Sequence, residues 1–219
     1  RGRAGGGMTQ KERQARSRRE ILQAAQEEFG SSGYDGVNME GICTRHGISK
    51  GMMYHYYSNK DELFLLCVQD TFQELKDYVE RESEALSGQS GLAALRNYFL
   101  CREHFFQQHP GQKRIFETAM LHPPAHLEEQ IQVLRGPIRE LNQRFLERVI
   151  AGMDLRPGLG QKQAARYLES AEAVFWSVVR QYQVGQEEDG LHTVLGAVQE
   201  VLDMVLFGVV RQQEQECPR

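Results

Sequence analysis

The stretch from Asn38 to Lys60 constrains the fold more than any other, because helix-starting and helix-ending residues alternate in it at short intervals. Asn38 is a favourable N-cap, and apolar residues recur behind it at helical spacing. Gly47 ends that helix by supplying the positive φ that a tight turn needs. Ser49 starts a second short helix, and Ser58 starts a third. The pattern therefore predicts a helix-turn-helix arrangement.

The second of these helices carries groups suited to DNA. It opens Ser49-Lys50-Gly51, which combines backbone N–H groups, a cation and a position without a side chain. The alternative, a helical hairpin with an ordinary polar surface, is disfavoured because caps, turn glycine and basic face all agree. We predict phosphate contacts from Asn38, Tyr54, His55 and Lys60. Base contacts are predicted for Lys50 and Gly51, with Thr44 and Arg45 as further candidates. The same DNA-facing surface is predicted to include Ser49, Met52 and Tyr56.

The same residues resemble a known family. The run G-Y-D-G-V-N-M-E-G-I-C-T-R-H-G-I-S-K-G-M-M-Y-H-Y-Y-S-N-K-D-E-L is similar to the N-terminal domain of the TetR family of bacterial transcriptional regulators. The pattern is long and specific, and it covers only the N-terminal part of the chain. The matching positions are Gly33, Tyr34, Ile42, Gly47, Ile48, Ser49, Lys50, Gly51, Tyr54, His55, Tyr56, Tyr57, Lys60, Glu62 and Leu63.

Four positions depart from the family pattern. Asn38 stands where Thr or Ser is usual, and it can still cap a helix and reach a phosphate. Cys43 and His46 replace small alanines, so the packing between the short helices is expected to differ. Met52 replaces a small or hydroxylated residue on the recognition helix. It either touches a thymine methyl group or packs within the protein.

Charge is distributed unevenly along the 219 residues. Residues 1–60 hold 10 Lys and Arg against 6 Asp and Glu, a balance of +4, whereas residues 61–219 hold 16 against 24, a balance of −8. A basic head on an acidic body predicts a local surface that attracts DNA. The basic residues just before and inside the first helix are Lys11, Arg13, Arg16, Arg18 and Arg19.

Other classes of protein find little support in the sequence. The four cysteines lack CxxC spacing, which predicts reduced thiols in a cytoplasmic protein and no metal site. We find no nucleotide-binding, GxSxG or HExxH motif, so we expect neither an enzyme nor a cofactor. No apolar run is long enough to span a membrane. Two rival hypotheses are kept. The first is the same fold acting as an activator or as a non-transcriptional DNA-binding protein. The second is a helical small-molecule-binding protein or enzyme whose basic head contacts a partner protein.

The chain as a whole is predicted to be all-α. Residues 1–7 look like a cloning remnant or a flexible leader, residues 8–60 form a three-helix head with the helix-turn-helix, and residues 61–219 form a larger helical ligand-binding and dimerisation domain. The first helix is expected from about Gln10 to Phe29, and the helix that opens at Ser58 continues to about Leu86. Further helices are expected at about 91–108, 112–121, 125–152 with a kink or break at Gly136-Pro137, 161–184 and 190–212. The expected breaks are Pro110-Gly111, Pro123-Pro124, Pro157-Gly158 and Gly185.

The last two predicted helices are apolar around much of their girth, so they must be buried on two sides. The resemblance implies that they form a four-helix dimer interface; the alternative is a monomer that covers both sides internally. The predicted interface residues are Phe175, Val179, Val194, Val198, Val201, Leu202, Val205 and Val209.

Aromatic residues and methionines are frequent in the middle helices, where they either fill a core or line a ligand cavity. The candidate pocket residues are Phe99, Phe105, Phe116, Met120, Phe145 and Trp176. The resemblance implies a pocket for an unidentified small-molecule effector. Together these features predict a homodimeric regulator, a repressor released by that effector from a palindromic double-stranded DNA operator.

Overall fold

The regular elements are helices, as the sequence predicts. This computed structural model describes residues 9–86, 89, 91–167 and 170, without the side chains of Leu92, Arg96 and Phe99. The elements are α1 (Gln10–Ser32), α2 (Met39–His46), α3 (Lys50–Tyr56), α4 (Lys60–Glu84), α5 (Gly91–Gln108), α6 (Pro110–Leu121), a 3-10 turn (Ala125–Leu127), α7 (Glu128–Leu134) and α8 (Gly136–Ala151). Residues 161–167 are also helical. Within these ranges no helix is both long and apolar enough to cross a bilayer.

The described chain divides into two compact units, and the division falls inside α4 after Thr71. The first unit is the described part of Arg1–Thr71 with His109–Ala119 and Pro123–Leu134. The second is the described part of Phe72–Gln108, Met120–His122 and Arg135–Arg219. Most of α6 and all of α7 thus share a unit with the head, and the boundary at residue 60 remains a prediction.

The head is built by α1, α2 and α3 packing on one another. Ile21, Ala25 and Phe29 repeat along one side of α1 at helical spacing, and each is completely buried. Ile42 of α2 and Met53 of α3 are completely buried as well. Because neither short helix can bury its own apolar side, α1 is what fixes the helix-turn-helix, and the predicted three-helix head is confirmed.

Local hydrogen bonds place the ends of the short helices. The Asn38 side chain accepts a hydrogen bond from the Gly41 N–H (2.7 Å), and Ser49 accepts one from the Met52 N–H (3.1 Å). Between them Gly47 ends α2 in the left-handed region, with φ 65° and ψ 25°. The predicted cap of α4 is wrong by one residue. Asn59 rather than Ser58 accepts the hydrogen bond from the Glu62 N–H (2.9 Å).

Two prolines lie inside helices rather than between them. Pro110 is the first residue of α6, so the predicted break at Pro110-Gly111 is wrong and the chain turns one residue earlier, at His109. Pro137 lies in the first turn of α8, and the predicted break near it occurs at Arg135. Proline is tolerated in a first turn because the N–H it lacks would have no partner within the helix.

Candidate nucleic-acid interface

Five of the predicted DNA-contact residues form one exposed surface across the end of α2 and the start of α3. They are Thr44, Ser49, Lys50, Gly51 and Tyr54. A methyl group built on Gly51 meets no atom within 4 Å, so the backbone there is open to close approach. Of the other predicted contacts, Asn38 and His55 are exposed, whereas Met52 and Tyr56 are half-buried.

Lys50 does not stand alone on this surface. Its Nζ lies 2.6 Å from Oε1 of Glu40, a residue of the first turn of α2 that the sequence analysis does not single out. Both side chains remain largely exposed, Lys50 at 60% and Glu40 at 65%. The hydrogen bond to Glu40 raises the pKa of Lys50, so the ammonium group is charged. The start of α3 therefore presents a cation and a carboxylate side by side.

Arg45 is held by a buried acid. Its Nε donates to Oε1 of Glu28 at 2.7 Å, and a second guanidinium N–H donates to the other carboxylate oxygen. Nε2 of His46 lies 2.9 Å from Oε1 of the same carboxylate. The hydrogen bond from Arg45 holds the pKa of Glu28 below its ordinary value of 4.5, and the bond with His46 acts in the same direction. Arg45 thus ties α2 to α1, which leaves less of its guanidinium for the base contact predicted for it.

Replacing Glu28 with glutamine should weaken this junction. Glu28 is only 8% exposed, so we expect Glu28→Gln to lower the free energy of unfolding by about 1–2 kcal/mol at pH 7. The effect is smaller than for a fully buried ion pair because Arg45 is 52% exposed. Urea unfolding followed by circular dichroism measures it, with Glu129→Gln, which removes an exposed acid from α7 of the same unit, as control.

The same variant has a distinct pH dependence. Because folding lowers the pKa of Glu28, its contribution is present above the ordinary value of 4.5 and is lost as the pH falls through the folded-state pKa. We therefore expect the free energy of unfolding to fall less steeply with acidification in Glu28→Gln than in the wild type. Parallel pH profiles for the two proteins would contradict this assignment.

Lys60 lies in a second polar cluster of the first unit. Its Nζ donates to the Tyr34 carbonyl at 3.1 Å and sits 3.9 Å from the centre of the Tyr34 ring. The Tyr34 hydroxyl donates to Asp61, and Nε2 of His126 lies 2.9 Å from the other oxygen of that carboxylate. The bond from Tyr34 is the main cause that lowers the pKa of Asp61. An ammonium group has three N–H donors, so Lys60 can still donate to a phosphate.

The first turns of α1 extend the basic surface beyond the packed head. The residues of α1 before Ile21 are exposed apart from half-buried Ser17. Arg16 pairs with Glu20 at 2.8 Å, and the guanidinium of Arg18 lies 5.3 Å from the ring centre of Tyr56, at the end of α3. The basic residues of α1 therefore reach the neighbourhood of the helix-turn-helix.

Comparison with known proteins agrees with this geometry. Residues 21–67, which run from the first buried residue of α1 into α4, match the sequence profile of bacterial regulatory proteins of the tetR family. This segment has the sequence of a TetR-family N-terminal domain. The family assignment made from the helix-turn-helix residues is thus confirmed, and it is an assignment to regulatory proteins rather than to enzymes.

The curated proteins that this chain resembles include regulators of opposite effect. It is 32% identical over 109 residues to the HTH-type transcriptional activator FasR of Mycolicibacterium smegmatis, covering 49% of this chain and 48% of that protein. It is 33% identical over 63 residues to the HTH-type transcriptional repressor AcnR of Corynebacterium jeikeium, covering 29% and 33%. The chain thus matches about half or less of the length of these relatives.

The structural likeness to solved proteins extends beyond the matched segment. The solved SmeT–triclosan complex has a TM-score of 0.63 with 22% identity, over 93% of this chain and 100% of that one. At that identity the likeness shows the fold alone. It agrees with the predicted architecture of a helix-turn-helix head followed by further helices.

The structure describes the other predicted sites only in part. Phe105, Met120 and Phe145 are buried in the second unit, where Phe145 stacks on Tyr98 with 3.7 Å between ring centres, and Phe116 is buried in the first. The side chain of Phe99 and all of Trp176 lie outside the described residues. So do the predicted dimer-interface residues Phe175, Val179, Val194, Val198, Val201, Leu202, Val205 and Val209.

Two acids that pair with the predicted basic residues, Glu28 and Glu40, were not predicted as site residues. Glu28 had a detectable signal, since it lies on the buried side of α1, seven residues after Ile21 and one before Phe29. A charged residue at such a position requires a partner. Glu40 had no comparable signal, because an acid in the first turn of a helix is already accounted for by the helix dipole.

Proposed function

We propose that this chain is a homodimeric transcriptional regulator that binds a palindromic DNA operator. The proposal depends on the orientation of α3. Its N-terminus, which is capped by Ser49, is exposed together with Lys50 and Gly51, whereas Met53 of the same helix is buried in the head. A helix end of this kind suits the major groove because its N–H groups and its cation both face the same anionic ligand. Residues 8–60 form the DNA-binding domain in this proposal, and residues 61–219 bind ligand and dimerise.

Dimerisation fixes the form of the operator. Two heads place their α3 helices in successive major grooves about 34–36 Å apart, so the operator is a near-palindrome. The interface of this dimer is proposed to lie on the apolar side of the last two helices that the sequence predicts, where Val198, Val201 and Val205 recur at helical spacing. The basic residues at the start of α1 add attraction to the DNA backbone without reading its sequence.

The effect on transcription is proposed to be repression relieved by a small molecule. Repression needs only an occupied operator, whereas activation also needs a surface for the transcription machinery. The SmeT complex contains triclosan, which supports a small-molecule effector for this chain as well. The effector acts through its differential affinity for two conformations. A ~100-fold loss of operator affinity requires about 2.7 kcal/mol of coupling.

Footprinting tests the proposal. Purified protein should protect a near-palindrome about two helical turns long in DNA upstream of its own gene or in sites recovered from genomic DNA. Deletion of the gene should raise the target transcript; a fall would instead identify an activator like FasR. The absence of any protected or enriched site at low salt would contradict DNA binding and favour a head that contacts a protein.

The dependence of affinity on salt supplies a residue-level prediction. Lys60→Ala should reduce the slope of log affinity against log salt by about two for the dimer, because each of the two heads loses one phosphate contact and each contact contributes about 0.9. Arg81→Ala removes an exposed cation from the second unit and serves as the matched control, with an unchanged slope. Equal slopes for wild type and Lys60→Ala, with the fold intact by circular dichroism, would remove Lys60 from the interface.

A further inference from the structure

An acidic side chain lies within the surface that is proposed to face DNA. Glu40 is joined to Lys50 by the 2.6 Å ion pair, and Thr44, one turn further along α2, is exposed and donates its hydroxyl to the Glu40 carbonyl. Any approach of the α3 N-terminus to DNA that brings Lys50 to the groove therefore brings the Glu40 carboxylate with it.

The helix dipole accounts for an acid in the first turn of α2, but folding gains little from pairing that acid with Lys50. Exposed ion pairs contribute little to stability, because water screens them and two long side chains must be ordered. A carboxylate among phosphates is also repelled. It is accommodated in a DNA interface where it accepts a hydrogen bond, and the major groove offers amino donors on cytosine N4 and adenine N6.

We propose that Glu40 and Lys50 act as one unit that reads a single G·C base pair in each half of the operator. Glu40 accepts a hydrogen bond from cytosine N4, and Lys50 donates to guanine O6 and N7. Guanine O6 and cytosine N4 are bonded to each other in the base pair, about 2.9 Å apart. Oε1 of Glu40 and Nζ of Lys50 are spaced almost equally, at 2.6 Å.

The order of groups along the base-pair edge favours G·C over A·T. A G·C pair presents two acceptors and then a donor, which matches an ammonium group beside a carboxylate. An A·T pair places its amino donor between two acceptors, adenine N7 and thymine O4. A carboxylate at that donor meets acceptor atoms on both sides. The pair Glu40–Lys50 therefore determines specificity in addition to affinity, and this inference rests on the proposed function.

Site selection followed by titration tests the inference. Wild-type protein selects its sites from random duplex DNA, and its affinity is then measured for every single base-pair substitution in the selected operator. We expect one position in each half-site where G·C is preferred by about tenfold. Glu40→Ala should reduce that preference to less than about threefold and leave the others unchanged. Lys50→Ala should lose discrimination at the same position.

A charge-matched control separates base reading from general electrostatics. Glu20→Gln removes one negative charge from α1 of the same head, where Glu20 pairs with Arg16. It should change the affinity for all sequences by a common factor. If Glu40→Ala behaves in the same way, or if Lys50→Ala affects a different position, the inference is overturned. If wild-type protein selects no DNA, the proposed function fails and the inference fails with it.

Discussion

Replacing Phe64 with alanine should destabilise the first unit by about 3–5 kcal/mol. Phe64 is completely buried in α4, and its ring packs edge-on against Phe29 of α1 and Tyr34 of the following loop, with 5.1 Å and 5.0 Å between ring centres. The truncation removes two aromatic contacts and leaves a cavity where α1 meets α4. The expected loss is a large share of the 5–15 kcal/mol typical of a folded protein.

Urea unfolding followed by far-UV circular dichroism measures this effect. Phe64→Leu keeps most of the volume and should cost much less than the alanine variant. Val133→Ala is the surface control, because Val133 is 71% exposed, and it should change the free energy of unfolding by less than about 0.5 kcal/mol. A cost for Phe64→Ala as small as that of the control would show that this aromatic cluster does not join α1 to α4.

Substitution of two facing glycines should have unequal effects. A methyl group on Gly30 of α1 would lie 2.8 Å from the Gly111 Cα of α6, and backbone atoms cannot move aside as a flexible side chain can. A methyl group on Gly111 would lie 4.0 Å from the Gly30 Cα, which is an ordinary contact. We expect Gly30→Ala to cost about 1–3 kcal/mol through overpacking. Gly111→Ala should be neutral or stabilise by up to about 1 kcal/mol, since alanine favours the helix.

Thermal unfolding of the two variants checks the prediction, because each serves as the control for the other. Both variants add one methyl group to a helical glycine, so the effects of composition and helix propensity on the melting temperature are nearly the same in the two proteins. Each kcal/mol should correspond to about 2–4 °C in a chain of this size. Equal melting temperatures for Gly30→Ala and Gly111→Ala would mean that α1 and α6 do not approach each other this closely.

The helix-turn-helix could be predicted from sequence because the residues that start and end its helices act through local hydrogen bonds and local backbone conformation. The caps at Asn38 and Ser49 each bond an N–H three residues away, and the left-handed turn at Gly47 depends on one residue. Such signals survive without knowledge of the rest of the fold. Where neighbouring residues offer equivalent caps the prediction is wrong by one position, as with Ser58 and Asn59.

The positions of prolines were less informative. A proline ends a helix when it falls in the interior but begins one when it falls in the first turn. The sequence around Pro110 does not distinguish the two cases, and the structure places it at the start of α6. The breaks therefore fall at His109 and Arg135, beside the prolines rather than at them.

The all-α class, the three-helix head and the exposed start of α3 could be predicted from the sequence, because these follow from helical periodicity and from bonds between near neighbours. Which acid pairs with which basic side chain depends on the tertiary structure. Glu28 reaches Arg45 across 17 residues, Glu40 reaches Lys50 across 10, and Asp61 reaches His126 across 65. The physical reason is that such pairs depend on which sides of two helices face each other, and that is settled by the burial of Ile21, Ile42 and Met53 in a shared core.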